Sequence, residues 1–519
     1  MNKIPPVSDV GRTRVMNGHG DRPRGQQLSA GRVMVLAVSA AGPLGVVVGS
    51  LPLALALGNG PGVPATFVVA MVVQLCFCVG YAALCRRVVS TGGFYRYVGL
   101  GLGRPAGVGA AMLALCSYTA MSIGLVGAFG YFTSLVLAKS GLHVSWMLLA
   151  GGGLAVVGLL GYHSVGLSAK VLAVLLVAQI AMVAVYDLAV VAHLGAAAFP
   201  AVSFAPATIT TGSLGLGLMM AFSGFAGYES AVLYGEESTD PTRSIPRAAY
   251  LAVGAIGLIF VVTSWITIGA IGADQTQERA RRQLGNLMFG LVDTYASEPL
   301  SRAMAILMCT ALLASMLAMH NAASRYTFAL GRERLLPAVL GRFDSRRYSP
   351  ACASLAQTAV TALAVAAFAA AGLDPYLNLA TSMVGLSTLG ILVVQAIAAV
   401  AIVVHFHRSP ESGLWRTRVA PTIGAVGLLV GTVLSVANYG RFAGTADPVV
   451  VGLPVVLGLA VVGGTGFGLW LRSRRPEIYA GLAWAKTSVP DVLAPAPGQD
   501  QMADEHRLLT TEPRRGYLS

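Results

Sequence analysis

Stretches without a single charged side chain recur from Val33 almost to the end of the chain, and they limit what it can fold into. A helix needs roughly 20 apolar residues to cross the hydrocarbon core of a bilayer. Runs of about that length or longer are read at 33–57, 62–85, 105–137, 146–162, 169–194, 213–235, 247–272, 301–331, 351–371, 376–404, 419–440 and 449–471. The 519 residues would suffice for three or four soluble domains, but only 11% of them are charged. Soluble domains hold roughly a quarter. The expected fold class is therefore an all-α integral membrane protein with about twelve transmembrane helices.

The net charge of +13 does not point to nucleic acid, because the basic residues are neither gathered in one soluble segment nor in one tail. They sit between the apolar runs. With residues 1–32 inside, every Lys and Arg except Lys139, Arg279, Arg281, Arg282, Arg302 and Arg441 falls on the cytoplasmic side. Such asymmetry sets membrane topology. It predicts a multi-pass protein of the cell membrane with both termini cytoplasmic. No cleavable signal is expected: residues 1–32 are polar and Arg-rich, and the first run is long enough to remain as a helix. A polar, Pro-rich and charged tail from 472 to 519 is expected to be disordered. The segment 273–300 mixes charges with an apolar stretch at 284–292. It is read either as an amphipathic helix over the outer mouth or as a polar loop.

Cys76, Cys78, Cys85, Cys116, Cys309 and Cys352 lie in or beside apolar runs with no repeating interval. They read as small buried hydrophobes, without a disulfide or a metal site.

Two runs are interrupted. Ala41-Gly42-Pro43-Leu44-Gly45-Val46-Val47-Val48-Gly49-Ser50-Leu51-Pro52 breaks the first, and Ser223-Gly224-Phe225-Ala226-Gly227-Tyr228-Glu229 breaks the sixth. They match in position if runs 1–5 and 6–10 are two copies of a five-helix unit. An odd number of helices per unit inverts one copy relative to the other, the pattern of transporters whose broken helices present backbone groups at mid-membrane. Unpaired backbone in lipid costs several kcal/mol per group, so a break persists where protein, water or a solute satisfies it. Close helix packing is the competing explanation for glycine in either segment alone.

Four stretches resemble the amino acid–polyamine–organocation superfamily of permeases. They are Gly45-Val46-Val47-Val48-Gly49-Ser50; Ser90-Thr91-Gly92-Gly93-Phe94-Tyr95-Arg96-Tyr97 with Gly101-Leu102-Gly103; Gly227-Tyr228-Glu229-Ser230-Ala231 through Glu236-Glu237 to Asp240-Pro241-Thr242-Arg243-Ser244-Ile245-Pro246-Arg247-Ala248; and His320-Asn321-Ala322-Ala323-Ser324-Arg325-Tyr326 with Gly331-Arg332 and Leu336-Pro337. The resemblance spans runs 1 to 9 in order. It implies a 5+5 inverted-repeat core over 33–404, with two extra helices over 405–471.

The resemblance also implies a site. Backbone amides of the first break would hold a carboxylate, and carbonyls of both breaks would hold an amino group. That is the helix-terminus ion site, positive at an N-terminus and negative at a C-terminus. Carried over by residue, it nominates Gly45, Gly49 and Ser50 with Ser223, Gly224, Phe225, Ala226 and Gly227. Leu51 and Pro52 stand where the family often has a third small residue, and Pro52 lacks an amide donor.

Glu229 is an ionisable group inside an apolar run and a candidate for a coupling proton or for substrate contact. The competing role is a hydrogen-bonded brace. Lys170 opens the fifth run. Some relatives place a lysine there in lieu of sodium, while the alternative is an interfacial lysine that snorkels. Glu236, Glu237, Asp240 and Arg243 form a turn between runs 6 and 7 that could latch a cytoplasmic gate or simply be solvated. His320 and Arg325 read as structural; Asp187 and Tyr118 are minor pathway candidates.

The expected function is secondary active transport of a small-molecule substrate, an amino acid or related amine, by alternating access, with protons as the coupling ion. A polyamine, another organic cation or a nucleobase-like solute is the same-fold alternative, and a membrane sensor or channel the alternative of another class. No cofactor, metal or enzymatic activity is expected. There is no phosphate-binding Gly-rich motif of the Walker type, and the apolar segments contain no HExxH or GxSxG.

Overall fold

A computed structural model describes residues 29–85, 93–163, 169–229, 241–344, 349–408, 413–443 and 448–482. Within them the ordered backbone is helical, apart from one isolated bridge between Asp344 and Ser349. Ten helices are long and apolar enough to cross a membrane, and two shorter apolar ones, Trp146–Tyr162 and Leu214–Phe225, lie among them. We number these apolar helices in chain order. The first five are α1 (Ala30–Leu57), α2 (Val63–Cys85), α3 (Arg104–Lys139), α4 (Trp146–Tyr162) and α5 (Ala169–Leu194). Then come α6 (Leu214–Phe225), α7 (Pro241–Ile271), α8 (Glu298–Arg332), α9 (Ala351–Ala370), α10 (Pro375–Arg408), α11 (Ala420–Phe442) and α12 (Pro454–Arg474).

Most boundaries agree with the apolar runs to within a few residues, because proline punctuates them. Pro105, Pro299, Pro421 and Pro454 sit in the first turns of α3, α8, α11 and α12, where a missing N–H costs nothing. The sixth run differs. It is expected to reach 235, but α6 stops at Phe225, and 230–235 lie outside the described residues. The tail expected to be disordered from 472 is helical at its start. α12 continues to Arg474 and a short helix, Pro476–Gly481, follows it. Arg104 holds that helix, with Nη1 donating to the Tyr479 carbonyl at 2.7 Å and the guanidinium 5.2 Å from the Tyr479 ring centre. Residues 483–519 lie outside the described residues.

α3 is the central post, packed against α4, α8, α10 and α12. Its crossing with α12 is a contact of small residues: a Cβ added to Gly464 would lie 2.9 Å from the Gly109 Cα. The outward faces stay apolar, with Leu148, Leu363 and Val462 each 72% exposed. Such a surface suits hydrocarbon rather than water.

The segment 273–300 is helical rather than a polar loop. Helix Thr276–Gln283 and helix Leu287–Tyr295 are joined by a tight turn over Leu284–Asn286. Leu287, Met288, Phe289, Leu291 and Val292 are buried. Arg281 Nε donates to the Ala56 carbonyl at 2.9 Å, which ties the segment to the end of α1.

The α3–α12 crossing makes a testable pair. Gly464→Leu should wedge the helices apart and lower the melting temperature of the detergent-purified protein, by an overpacking cost of about 1–3 kcal/mol. Gly463→Leu, where a Cβ meets nothing within 4 Å, should leave it unchanged. Equal melting of the two variants would refute the crossing.

Candidate functional site

The break in α1 falls at Gly42-Pro43. The first arm, Ala30–Ala41, ends at Gly42, which takes the left-handed conformation (φ 58°) that a residue with a Cβ enters only at a cost. Pro43 then opens the next helical turn. The first amides of a helix have no intrahelical partner. Here Pro43 has none to offer, Val46 N–H bonds to the Gly42 carbonyl (3.1 Å), and the N–H groups of Leu44 and Gly45 find no partner among the described residues. Below the break, Ser315 Oγ on α8 donates to the Ser39 carbonyl (3.3 Å).

Gly45, Gly49 and Ser50 therefore stand beyond the break, on helical backbone. Val46–Ser50 form a widened π turn, and Leu51–Leu57 continue as α-helix. Pro52 lies in this second arm, nine residues past Pro43. It takes no donor from the break; the absent donor at the break is that of Pro43.

α6 breaks at Ala226-Gly227. Ala226 is extended (φ −60°, ψ 130°) and Gly227 has φ 112°. Gly227 lies directly on the first break: a Cβ there would come 2.9 Å from the Ala40 carbonyl carbon and 3.0 Å from the Ala41 nitrogen. The two interruptions touch through backbone. The residues after Gly227 are anchored on both sides. Glu229, 2% exposed, accepts from Gly227 N–H through Oε2 (2.9 Å) and from the Tyr118 hydroxyl through Oε1 (3.3 Å). Tyr228 donates its hydroxyl to Gln74 Oε1 (2.9 Å), and Gln74 Nε2 donates to Gln395 Oε1 on α10 (3.1 Å).

A cavity with about 90 Å³ of water-accessible space lies between the breaks. Gly45, Gly49 and Ser50 line it from α1, and Ser223 and Ala226 from α6. Gly224, Phe225 and Gly227, also expected at the site, stand behind it: Gly224 packs against Phe260 and Val46, and Phe225 is fully buried. Glu229 does not line the cavity either; it caps the break from outside it.

Aromatic clusters lie toward both ends of α1. Toward the C-terminal end of α1, Tyr376 stacks on Tyr131 (centroids 4.7 Å, 12°) and meets Phe132 edge-on (5.3 Å). The Tyr376 hydroxyl donates to the Gly49 carbonyl at 2.6 Å. Gly285, in the turn between the two short helices, packs on Tyr131 and Phe132. Toward the N-terminal end of α1, Tyr118 stacks on Tyr326 (5.3 Å, 29°), and Tyr326 meets Tyr95 (6.0 Å). Tyr95 in turn donates to Glu333 Oε1 (3.4 Å).

Sequence reasoning missed Gly42, Phe132, Ser315, Tyr376 and Phe442, all of which line the cavity. Phe442 ends α11, so the site draws on a helix outside 33–404. A signal existed for Tyr376: Asp374-Pro375 is a helix start, and Asp374 Oδ1 accepts from Tyr376 N–H (2.8 Å) and Leu377 N–H (2.6 Å). Glu236, Glu237 and Asp240 lie outside the described residues, as does the side chain of Lys170; Arg243 is exposed at the start of α7. His320 bonds Ser354 Oγ (2.9 Å) between α8 and α9, and Asp187 Oδ2 accepts from Thr263 Oγ1 (2.8 Å) between α5 and α7. Among the described residues no three His, Cys, Asp or Glu side chains meet as a metal site requires.

The contact between the breaks yields a prediction. Gly227→Ala must force a side chain against the Ala40–Ala41 peptide and hold it at positive φ, a strain of about 1–3 kcal/mol before the clash is counted. Its melting temperature should fall clearly, while Gly254→Ala, with open space at its Cβ, should melt as the parent protein does. Glu229→Leu should also destabilise, by about 1–3 kcal/mol for the unpaired Gly227 N–H. Parent-like melting of both Gly227→Ala and Glu229→Leu would contradict this account of the break.

Comparison with known proteins is consistent with this geometry. Residues 28–460 match the family described as amino acid permease. An uncharacterized transporter of Mycobacterium bovis is 28% identical over 399 residues, covering 72% of this chain and 79% of its own length. An uncharacterized transporter of Mycobacterium tuberculosis gives the same values. An uncharacterized amino acid permease of Bacillus subtilis is 28% identical over 299 residues, 56% of this chain and 66% of its own.

Proposed function

The chain belongs to the amino acid permease family and is a multi-pass membrane transporter; from that premise we propose that it carries an amino acid by alternating access around the cavity between the α1 and α6 breaks, driven by protons. The observation that carries this reading is the pairing of the two interrupted backbones at Gly227 and Ala40-Ala41. The Leu44 and Gly45 amides open a helix, where partial positive charge suits a carboxylate. The first arm of α1 ends beside them, where carbonyl ends suit an ammonium. An α-amino acid has both groups on one carbon, so it fits adjoining helix ends of opposite sign.

Alternating access needs two barriers, and the aromatic layers supply them. The packing supports an inverted repeat in which α1–α5 correspond to α6–α10. α1 packs on α7 as α6 packs on α2, and the equivalent pairs α2–α7 and α3–α8 pack on each other, as a two-fold relation requires. Twelve membrane crossings, cytoplasmic termini and placement in the cell membrane accord with the distribution of basic residues.

Glu229 is the proposed proton carrier. No cation pairs with it among the described residues, and it bonds both the α6 break and Tyr118 of the inner aromatic layer. A proton on the carboxyl removes negative charge from one or both of these bonds. Protonation at this one group therefore bears on the break and on a barrier together.

Uptake into proteoliposomes of radiolabelled amino acids, with and without an inward proton gradient, tests the proposal. Saturable uptake that the gradient accelerates is expected. Glu229→Gln keeps an acceptor for Gly227 N–H, so it should retain exchange of internal for external solute but lose the acceleration. A gradient response unchanged in Glu229→Gln would move the proton elsewhere. Absence of counterflow for every amino acid would sink the carrier reading.

A further inference from the structure

We propose that the cavity selects amino acids with uncharged, apolar side chains and excludes basic amino acids, acidic amino acids and polyamines. This rests on the transporter reading and adds to it the substrate class. Among the described residues lining the cavity, none is charged. Its side-chain surface is built from Leu, Val, Phe and four methionines, Met121, Met220, Met308 and Met319, contributed by α3, α6 and α8.

Of the five hydroxyls in the lining, four are already engaged; the fifth, Ser50, makes no hydrogen bond among the described residues. Ser223 Oγ donates to the Met220 carbonyl (2.7 Å), Ser315 Oγ to the Ser39 carbonyl, Tyr376 to the Gly49 carbonyl, and Thr381 Oγ1 to the Leu377 carbonyl. Each of these four hydrogens is committed to backbone, so a carboxylate on a substrate side chain finds only the Ser50 hydroxyl, one neutral donor against a full charge. A guanidinium or a second ammonium finds no anion, because Glu229 lies outside the lining with both oxygens occupied. Taking an ion out of water without a partner is far more costly than burying a methylene. The helix ends at the breaks can compensate one ammonium and one carboxylate. They leave nothing for a third charge.

The methionines determine how broad the selection is. An unbranched thioether chain reshapes itself around differing apolar partners. Leucine, methionine and phenylalanine side chains should then be accepted alike, with small side chains such as glycine held more weakly for want of contact.

The test uses the full-length protein in proteoliposomes and in detergent. Unlabelled leucine, methionine, phenylalanine, lysine, glutamate and putrescine compete with labelled leucine uptake, and each is also added to a thermal melt. Leucine, methionine and phenylalanine should compete at least tenfold more strongly than the other three and should alone raise the melting temperature. Leu312→Glu places a carboxylate in the lining and should shift the preference toward lysine. If that variant does not fold, Leu312→Ala should weaken leucine competition without admitting lysine. Lysine or putrescine competing as well as leucine overturns the proposal and leaves the transporter reading intact. If nothing is transported yet leucine, methionine and phenylalanine alone shift the melt, the transport reading fails and the selectivity stands. A melt unmoved by all the apolar amino acids overturns it.

Discussion

Where Gly227 rests on the Ala40–Ala41 peptide, two interrupted helices meet with no side chain between them. Unpaired backbone in a bilayer core costs several kcal/mol per group, so neither break could stand in lipid alone. The surrounding residues reduce the deficit selectively. Glu229 takes the Gly227 N–H, and Ser315 pairs the Ser39 carbonyl. The Leu44 and Gly45 amides are left over. They open the second arm of α1, and in the proposed function a bound solute completes the pairing that the protein omits. Stability and binding thus draw on the same set of backbone groups, and the breaks must be held rigidly for those groups to keep their direction.

The two ends of the cavity are built from the same material and tied differently. Both are tyrosine-rich layers with stacked rings. At the C-terminal end of α1 the tie is neutral, from the Tyr376 hydroxyl to the Gly49 carbonyl. At the other end the tie runs from the Tyr118 hydroxyl to the Glu229 carboxyl. Of these two ties, only the second contains a carboxyl group. Because Glu229 also caps the α6 break, any change in its charge is felt on the cavity wall and on the inner layer at once. A neutral latch at one end and an ionisable one at the other gives the cavity a chemical polarity that its apolar lining does not show.

Much of this was legible in the sequence, for a physical reason. Glycine and proline limit backbone conformation locally, so the interruptions at 41–52 and 223–229 could be located without knowledge of tertiary structure. The break in α1 lay at Gly42-Pro43 rather than at Gly45–Ser50, although Gly-Pro is the stronger local punctuation. The glycine–serine pattern that carries the family resemblance lies downstream, on helical residues of the cavity wall. The helix start at Asp374-Pro375 was legible, but the roles of Tyr376 and Phe442 in the cavity were not. Their role depends on contacts with residues hundreds of positions away, and a tyrosine in an apolar run carries no mark of the carbonyl it will meet. Glu229 was conspicuous as a buried charge, but whether it faces the solute or the backbone is a matter of side-chain direction.

Pro52 shows how a local irregularity becomes a tertiary contact. A proline within a helix lacks the N–H that would pair with the turn before it, and its ring crowds the carbonyl four residues back. The preceding turn, Val46–Ser50, is widened to a π turn, with Leu51 N–H reaching back to the Val46 carbonyl. Such widening tilts carbonyls away from the helix axis and makes them available to outside donors. The Gly49 carbonyl lies in this turn, on a residue with no side chain to block approach, and there Tyr376 of α10 donates to it. The departure from the family's small-residue pattern at Leu51-Pro52 therefore has a structural correlate. It leaves the helix-end amides untouched and sets beside them a carbonyl through which α10 is tied to α1.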